Sequence, residues 1–329
     1  MLLLALLLLG GCEQRVVPAV GSYSDVYVFT ETGRYDPLLR EFAQSITHPI
    51  RYAFEEENEF NVFLREASLL SGNRDRKNIV LVMRTDRAGS LLSQARDLLG
   101  EGILERAREE GHLVLRREDL FARGQDVYFV LMQGRAEEEY VLQRLGPKIR
   151  GMLRESTQRR YRDFLLKGRE NRGGAQYLWR QYGFTIRYPK EYHLLQERAD
   201  LQAVELHRTD PSRSLGIFWM GDVRGAPSLA DSLSLLAFRA RVGERLYGDT
   251  ILGGDYRFEE SQLGVHPAIL MRGIWQNEED VTGGPFLTYF VYDVSRHRLW
   301  AVDLLLYAPG LEKHPYMREL EALGSTFHF

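Results

Sequence analysis

Cysteine is almost absent: the 329-residue chain has one, Cys12. A single thiol excludes an intrachain disulfide, a cysteine-based metal cage and a Cys–Cys redox pair, so core packing alone has to hold the fold. Lysine is scarce too. Only five, at 77, 148, 167, 190 and 313, stand among 43 basic residues, an Arg bias that reads as genomic base composition. Against 46 acidic residues the net charge is −3, and 27% of residues are charged, which is not the profile of a nucleic-acid binder. No apolar run reaches the roughly 20 residues that cross a bilayer. Gly-x-Ser-x-Gly, a P-loop and Gly-x-Gly-x-x-Gly are all missing. The eight histidines (48, 112, 193, 207, 266, 297, 314 and 328) show no pair at metal-ligand spacing, so neither metal nor cofactor is expected.

What is present begins at the N-terminus. Residues 1–11 are uncharged and Leu-rich, too short for a transmembrane helix and of the right length for a secretory signal. Leu9, Gly10 and Gly11 precede Cys12, an apolar residue followed by two small ones before a thiol, which is the lipobox of a lipoprotein signal peptide. No Lys or Arg precedes the apolar run, so the positive segment is expected further upstream. Cys12 is therefore expected to carry the lipid that tethers the protein to a membrane. Residues 13–22, with Pro18 and Gly21, read as a tether of at most about 35 Å. Glu13 and Gln14 follow the Cys in place of an Asp, which favours the outer membrane, facing the periplasm.

Behind the tether, alternating residues 25–29 predict a strand, and Asp36-Pro37 opens an amphipathic helix to Ile46. Residues 51–54 and 60–65 alternate weakly. Residues 78–83 form a continuous apolar run, residues 90–110 a helix and residues 126–132 another strand. Helical spacing runs from Glu137 to Lys167, with Gly146-Pro147 as a kink or restart, and Arg154, Arg159, Arg160 and Arg162 read as its solvated face. Residues 168–176, rich in Gly, Arg and Asn, read as a linker. The expected organisation is thus signal and tether over 1–22, an N-terminal α/β domain over 23–167, and a C-terminal α+β domain over 177–329. In the second half, residues 182–189 predict a strand stopped by Pro189. Strands at 203–207 and 215–219 follow, then a helix over 229–246, four more strands and a last helix over 316–323. The fold class is α+β: two α/β sandwich domains, the second an antiparallel sheet with helices on one side.

Certain stretches are distinctive: Arg272-Gly273-Ile274-Trp275, Asp280-Val281-Thr282-Gly283-Gly284-Pro285-Phe286, Tyr307-Ala308-Pro309, Lys313 and Leu320-Glu321-Ala322. Lys77-Asn78-Ile79 and Gln125 accompany them in the first half. Together with the lipobox they resemble the envelope lipoprotein family catalogued as domain of unknown function 4837, over most of the mature chain. The order of elements after residue 177 is also similar to the PsbP-type fold. These resemblances imply place and architecture rather than an activity.

Gly283-Gly284-Pro285 reads as a tight hairpin connection in which glycine supplies positive φ. The competing reading makes Arg272, Trp275, Asp280, Gly283, Gly284, Pro285, Phe286 and Lys313 a ligand site, with stacked Trp and bidentate Arg suited to an anionic or sugar ligand. Two functions follow. The preferred one is a non-enzymatic envelope module, anchored at Cys12, that binds an envelope protein or glycan. The alternative is a hydrolase of an envelope polymer acting near Arg272, Trp275 and Asp280, with carboxylates such as Glu259, Glu260 and Asp303 as generic candidates.

Overall fold

The computed structural model describes residues 17–31, 36–52, 55–221 and 231–329. The lipobox, Cys12 and the start of the tether lie outside them. The elements in order are β1 (Asp25–Thr30), α1 (Pro37–Thr47), β2 (Pro49–Tyr52), β3 (Glu55–Asn58), β4 (Asn61–Glu66), β5 (Asn78–Arg84), α2 (Ser90–Leu99), α3 (Glu101–Glu109), β6 (His112–Glu118), β7 (Asp126–Met132) and α4 (Arg135–Leu166). Then come α5 (Arg172–Tyr182), β8 (His193–Arg198), β9 (Ala203–Arg208), β10 (Ser212–Met220), α6 (Ser232–Tyr247), β11 (Thr250–Leu263), β12 (His266–Asn277), β13 (Thr282–Asp293), β14 (Arg298–Tyr307) and α7 (His314–Gly324).

Two compact units result, and they do not divide where the linker was expected. The first takes the described residues up to 47 and residues 60–153; the second takes 48–59 and 154–329. The division falls inside α4, which runs unbroken through Gly146-Pro147. Residues 172–176 are the first turns of α5, whose cap is Asn171, its side chain accepting from the Gly174 amide at 3.0 Å. A Gly-rich first turn had the composition of a linker.

The first unit is a five-stranded sheet in the order β4-β1-β5-β7-β6, parallel except for β6. The apolar runs of β5 and β7 demand cover on both faces, as parallel strands do. Phe42 and Ile46 of α1 and Leu145 and Ile149 of α4 pack on one face, against Val28, Val80 and Val130. Leu91 and Leu92 of α2 and Leu104 of α3 pack on the other, against Ile79, Leu81 and Phe129. The residues of the first half that carry the family resemblance prop up backbone here. The Asn78 amide donates to Tyr23 O and Asp25 O at 3.0 and 2.8 Å, and Gln125 donates to Arg74 O and Arg76 O. Lys77 Nζ donates to Gly21 O.

The second unit is a seven-stranded antiparallel sheet in the order β11-β12-β13-β14-β10-β9-β8. Residues 182–189 are not one of its strands. Tyr182 ends α5 and Gly183 caps it, and the residues after them make only isolated bridges, Thr185 to His328 and Pro189 to Glu170. β14 shows how the sheet is covered. Trp300, Val302, Leu304 and Leu306 face Leu178 of α5, Leu165 of α4 and Met317 and Leu320 of α7. Leu299, Ala301 and Leu305 face α6 through Leu235, Phe238, Val242 and Leu246. Helices therefore lie on both faces, one more than the sequence pattern predicts: the 235/238/242/246 stripe needs an apolar face of its own. Each of these side chains is worth roughly 1.5–3 kcal/mol of burial. The β2–β3 hairpin also belongs to this unit, with Tyr52 in the α7-side core.

Candidate functional site

Strand alternation puts a second, polar population on the α6 face of the C-terminal sheet. Glu205 and His207 of β9, Ser214 of β10 and Asp303 of β14 sit where Val204, Leu206, Leu215 and Leu304 point the other way. Ser214 Oγ donates to Glu205 Oε1 at 2.6 Å and stands 3.0 Å from His207 Nδ1, so the imidazole carries its proton on Nδ1. Gln196 Nε2 donates to Glu205 Oε2 and to Leu246 O, both at 3.1 Å. Burial pushes the Glu205 carboxyl above its ordinary range, against the pull of the Ser214 and Gln196 hydrogen bonds. Burial, with His193 nearby, pushes His207 down, which keeps the ring neutral near pH 7.

Beneath this lies a buried charge cluster. Arg239 of α6 is fully buried and donates to both oxygens of Asp249 at 2.8 Å, and its Nη2 is 3.2 Å from Asp303 Oδ2. Burial pushes the Asp303 carboxyl up to about 6, opposed by Arg239 and by the hydroxyl of Thr288, which donates to it. Tyr247 lies across β10 because position 216 is glycine: a Cβ there would come within 1.7 Å of the Tyr247 hydroxyl oxygen. That hydroxyl is buried, with no hydrogen-bond partner among the described residues.

Over Glu205, Ser214 and Tyr247 opens a cavity of about 240 Å³. Trp275 and Tyr307 stand in its wall, ring centroids 6.3 Å apart and planes at 59°. Asn277, Asp280 and Thr282 complete the wall on that side, with Leu195, Leu246 and Leu305 supplying apolar surface. Trp275 is held in place across the sheet, its Nε1 donating to Leu306 O at 3.2 Å. The opposite residue in register is Gly284, where a Cβ would lie 2.0 Å from that same carbonyl.

The predicted site residues are thereby split. Gly283, Gly284 and Pro285 form no hairpin turn: they lie inside β13, paired with Gln276, Trp275 and Ile274, and neither glycine has positive φ. The turn falls at residues 278–281, where Val281 takes φ +52°. Arg272 and Trp275 are three residues apart on one strand and so point to opposite faces. Trp275 and Asp280 line the cavity just described. Arg272 donates to Glu259 at 2.7 Å and lines, with Tyr52, Asp255, Pro285 and Phe286, a separate hollow of about 210 Å³. The Phe286 ring is core, 4.4 Å from the Arg239 guanidinium carbon. Lys313 is nearly buried and donates to Glu55 at 2.6 Å.

Glu205, Ser214, Gln196 and Tyr247 are the residues that sequence reasoning missed, and His207 stood only as one scattered histidine. For Glu205, His207 and Ser214 the signal is a polar residue at alternate places near the facing ends of two largely apolar strands, which gains meaning only once β9 and β10 pair; Gln196 and Tyr247, on β8 and α6, carry no such signal. Among the described residues no group of three or more His, Cys, Asp or Glu is placed to hold a metal ion. Nor, among them, is any helix long and apolar enough to cross a membrane.

No curated protein matches the chain in sequence. Solved structures overlay on parts of it. A Bacteroides thetaiotaomicron structure aligns over 44% of this chain at 10% identity and TM-score 0.30, and the chain spans 44% of that protein's length. LpqN of Mycobacterium tuberculosis, described as involved in cell envelope biogenesis, aligns over 44% of this chain and 81% of its own at 16% identity and TM-score 0.29. The Saccharomyces cerevisiae Ran-binding protein Mog1p aligns over 48% and 92% at 12% identity and TM-score 0.32. In sequence, the match begins in α5 and ends just beyond α7, leaving Lys77, Asn78 and Gln125 outside it. Residues 173–326 match the family described as domain of unknown function (DUF4837), the one that the motifs of the last quarter resemble.

Proposed function

We propose that this protein is a lipid-anchored lipoprotein of the cell envelope whose C-terminal domain binds an envelope glycan in the cavity above Glu205 and Ser214. The observation that carries the reading is the pairing of Trp275 and Tyr307 in the wall with hydrogen-bonding groups on the floor. Sugar rings present apolar C–H faces and a rim of hydroxyls. Two aromatic side chains serve the first, and Glu205, His207, Ser214 and the Tyr247 hydroxyl, unpartnered among the described residues, serve the second. The lipobox ending at Cys12 and the short tether support the location: the domain works close to a membrane, and the residues after Cys12 favour the outer one.

Binding fits this floor better than hydrolysis. Both oxygens of Glu205 already accept internal hydrogen bonds, and Asp280 at the wall is held by Asn277. Glycoside hydrolysis needs a free acid and a second carboxylate set across the bond.

The test is calorimetric titration of the protein with soluble glucosamine-based oligosaccharides, alongside co-sedimentation with purified peptidoglycan sacculi. Saturable binding that falls at least tenfold in Tyr307→Ala and in Trp275→Ala is expected. If the wild-type protein ignores every glycan offered, the reading is wrong. For the anchor, Cys12→Ser should move the protein from the membrane fraction to the soluble one, and unchanged membrane association would refute it.

A further inference from the structure

The charge of this cavity says more about what enters it. Among the described residues no Lys or Arg lines it, while Glu205 forms its floor and Asp280 stands in its wall. The contrast with the cluster beneath is informative. Asp249 and Asp303 are just as buried, and Arg239 sits within 3.2 Å of both. Glu205, 3% exposed, has only neutral hydrogen-bond donors on its oxygens, Ser214 Oγ and Gln196 Nε2. Among the described residues the nearest ionisable nitrogen is His207 Nδ1 at 3.8 Å, on a ring whose protonated form burial disfavours. A carboxylate withdrawn from water without a cation is costly, which is why burial raises the Glu205 pKa, and a cation arriving with a ligand favours the ionised form. The two aromatic faces of Trp275 and Tyr307 are attractive to a cation as well as to a sugar face.

Resting on the glycan reading above, we infer that the ligand carries a protonated amine, and that Glu205 receives it between the aromatic walls. The chemical class is a glycan with a free amino group, as opposed to its N-acetylated form. Acetylation removes the charge and leaves Glu205 uncompensated. It also places a methyl group where a charge-assisted hydrogen bond should form.

The experiment compares two oligosaccharides of one backbone, the glucosamine tetramer and the N-acetylglucosamine tetramer, by calorimetry at pH 6 and low salt. The amine form is expected to bind at least tenfold more tightly, with the preference shrinking as salt is raised. Glu205→Gln should bring the amine form down to the affinity of the acetylated one and leave the latter within about twofold. Where circular dichroism shows Glu205→Gln unfolded, Glu205→Asp replaces it; retracting the charge by one methylene should cut the preference. Equal binding of the two tetramers, or a preference that survives at Glu205, overturns the amine inference and leaves the glycan reading standing. Failure of both tetramers to bind overturns the two together.

Discussion

Arg318 donates to Nε2 of His314 at 2.7 Å, one turn away along α7, so that nitrogen carries no proton and Nδ1 faces the Tyr52 hydroxyl at 3.0 Å. Burial first, then the Arg318 charge, hold the imidazole down to about 3. The unfolded ring takes up a proton near 6.5 and the folded one does not. Stability from this group is therefore complete above pH 6.5 and lost as pH falls below it, by up to about 1.4 kcal/mol per pH unit. Urea titrations at pH 7, 5.5 and 4 should show a steeper loss in the wild type than in His314→Gln. The groups facing the ring are Tyr52, Arg318, the Glu59 backbone, which opposes the shift, and, more distantly, Arg154. Parallel pH profiles for the two proteins would remove this histidine from the acid response.

Asp303 should show the opposite sign. Its carboxyl is raised from 3.8 to about 6, so between these values the folded state keeps a proton that the unfolded chain has released. Its contribution to stability is fully present below about pH 4 and declines as pH rises to about 6. The difference between wild type and Asp303→Asn, measured by urea unfolding at pH 4 and 6.5, should shift in that direction; a difference independent of pH speaks against it.

Arg239→Met leaves Asp249 and Asp303 buried without their cation. Removing one partner of such a buried cluster costs about 3–5 kcal/mol. A urea midpoint within error of the wild type would contradict the ion cluster as described.

Gly284→Ala tests the close crossing of Trp275 over β13. The added methyl meets Leu306 O, a backbone atom that cannot swing aside, and a loss of about 1–3 kcal/mol is expected, with a change in tryptophan emission. Were the glycine merely a turn residue, alanine there would leave the Trp275 environment intact.

Glu57→Ala tests the clasp between the β2–β3 hairpin and α7. Its two oxygens accept from the amides of Lys313 and His314 at 2.6 and 2.7 Å, taking the place of a capping side chain at the helix start. The expected cost is about 0.5–2 kcal/mol by thermal or urea unfolding.

What could be seen in the sequence follows from how each element is stabilised. β5 and β7 were legible because both faces are buried and their runs are unbroken. α1, α6 and α7 were legible because each shows an apolar stripe to one neighbour. β6 was not, since it ends Arg116-Arg117-Glu118 and lies at a sheet edge where charge is tolerated. At the site, Trp275 and Asp280 could be picked out by type. Arg272 was joined to them because spacing along a strand does not reveal which face is functional. Glu205 and Ser214 meet only through the pairing of β9 with β10, and Tyr247 meets them only through the glycine at 216.

The hairpin at residues 48–59 has a consequence for the order of assembly. Tyr52 is among the early residues to be synthesised, and its partner His314 follows 262 positions later. The second unit therefore cannot close until α7 has been made. Until the last helix arrives, the hairpin's apolar side chains wait uncovered, and closing so long a loop is slow. A gene fragment cut at residue 153 would keep the end of α4 yet encode a sheet deprived of Tyr52, Glu57 and Glu59, so excising this domain requires supplying the hairpin as a separate piece or grafting it onto the new terminus.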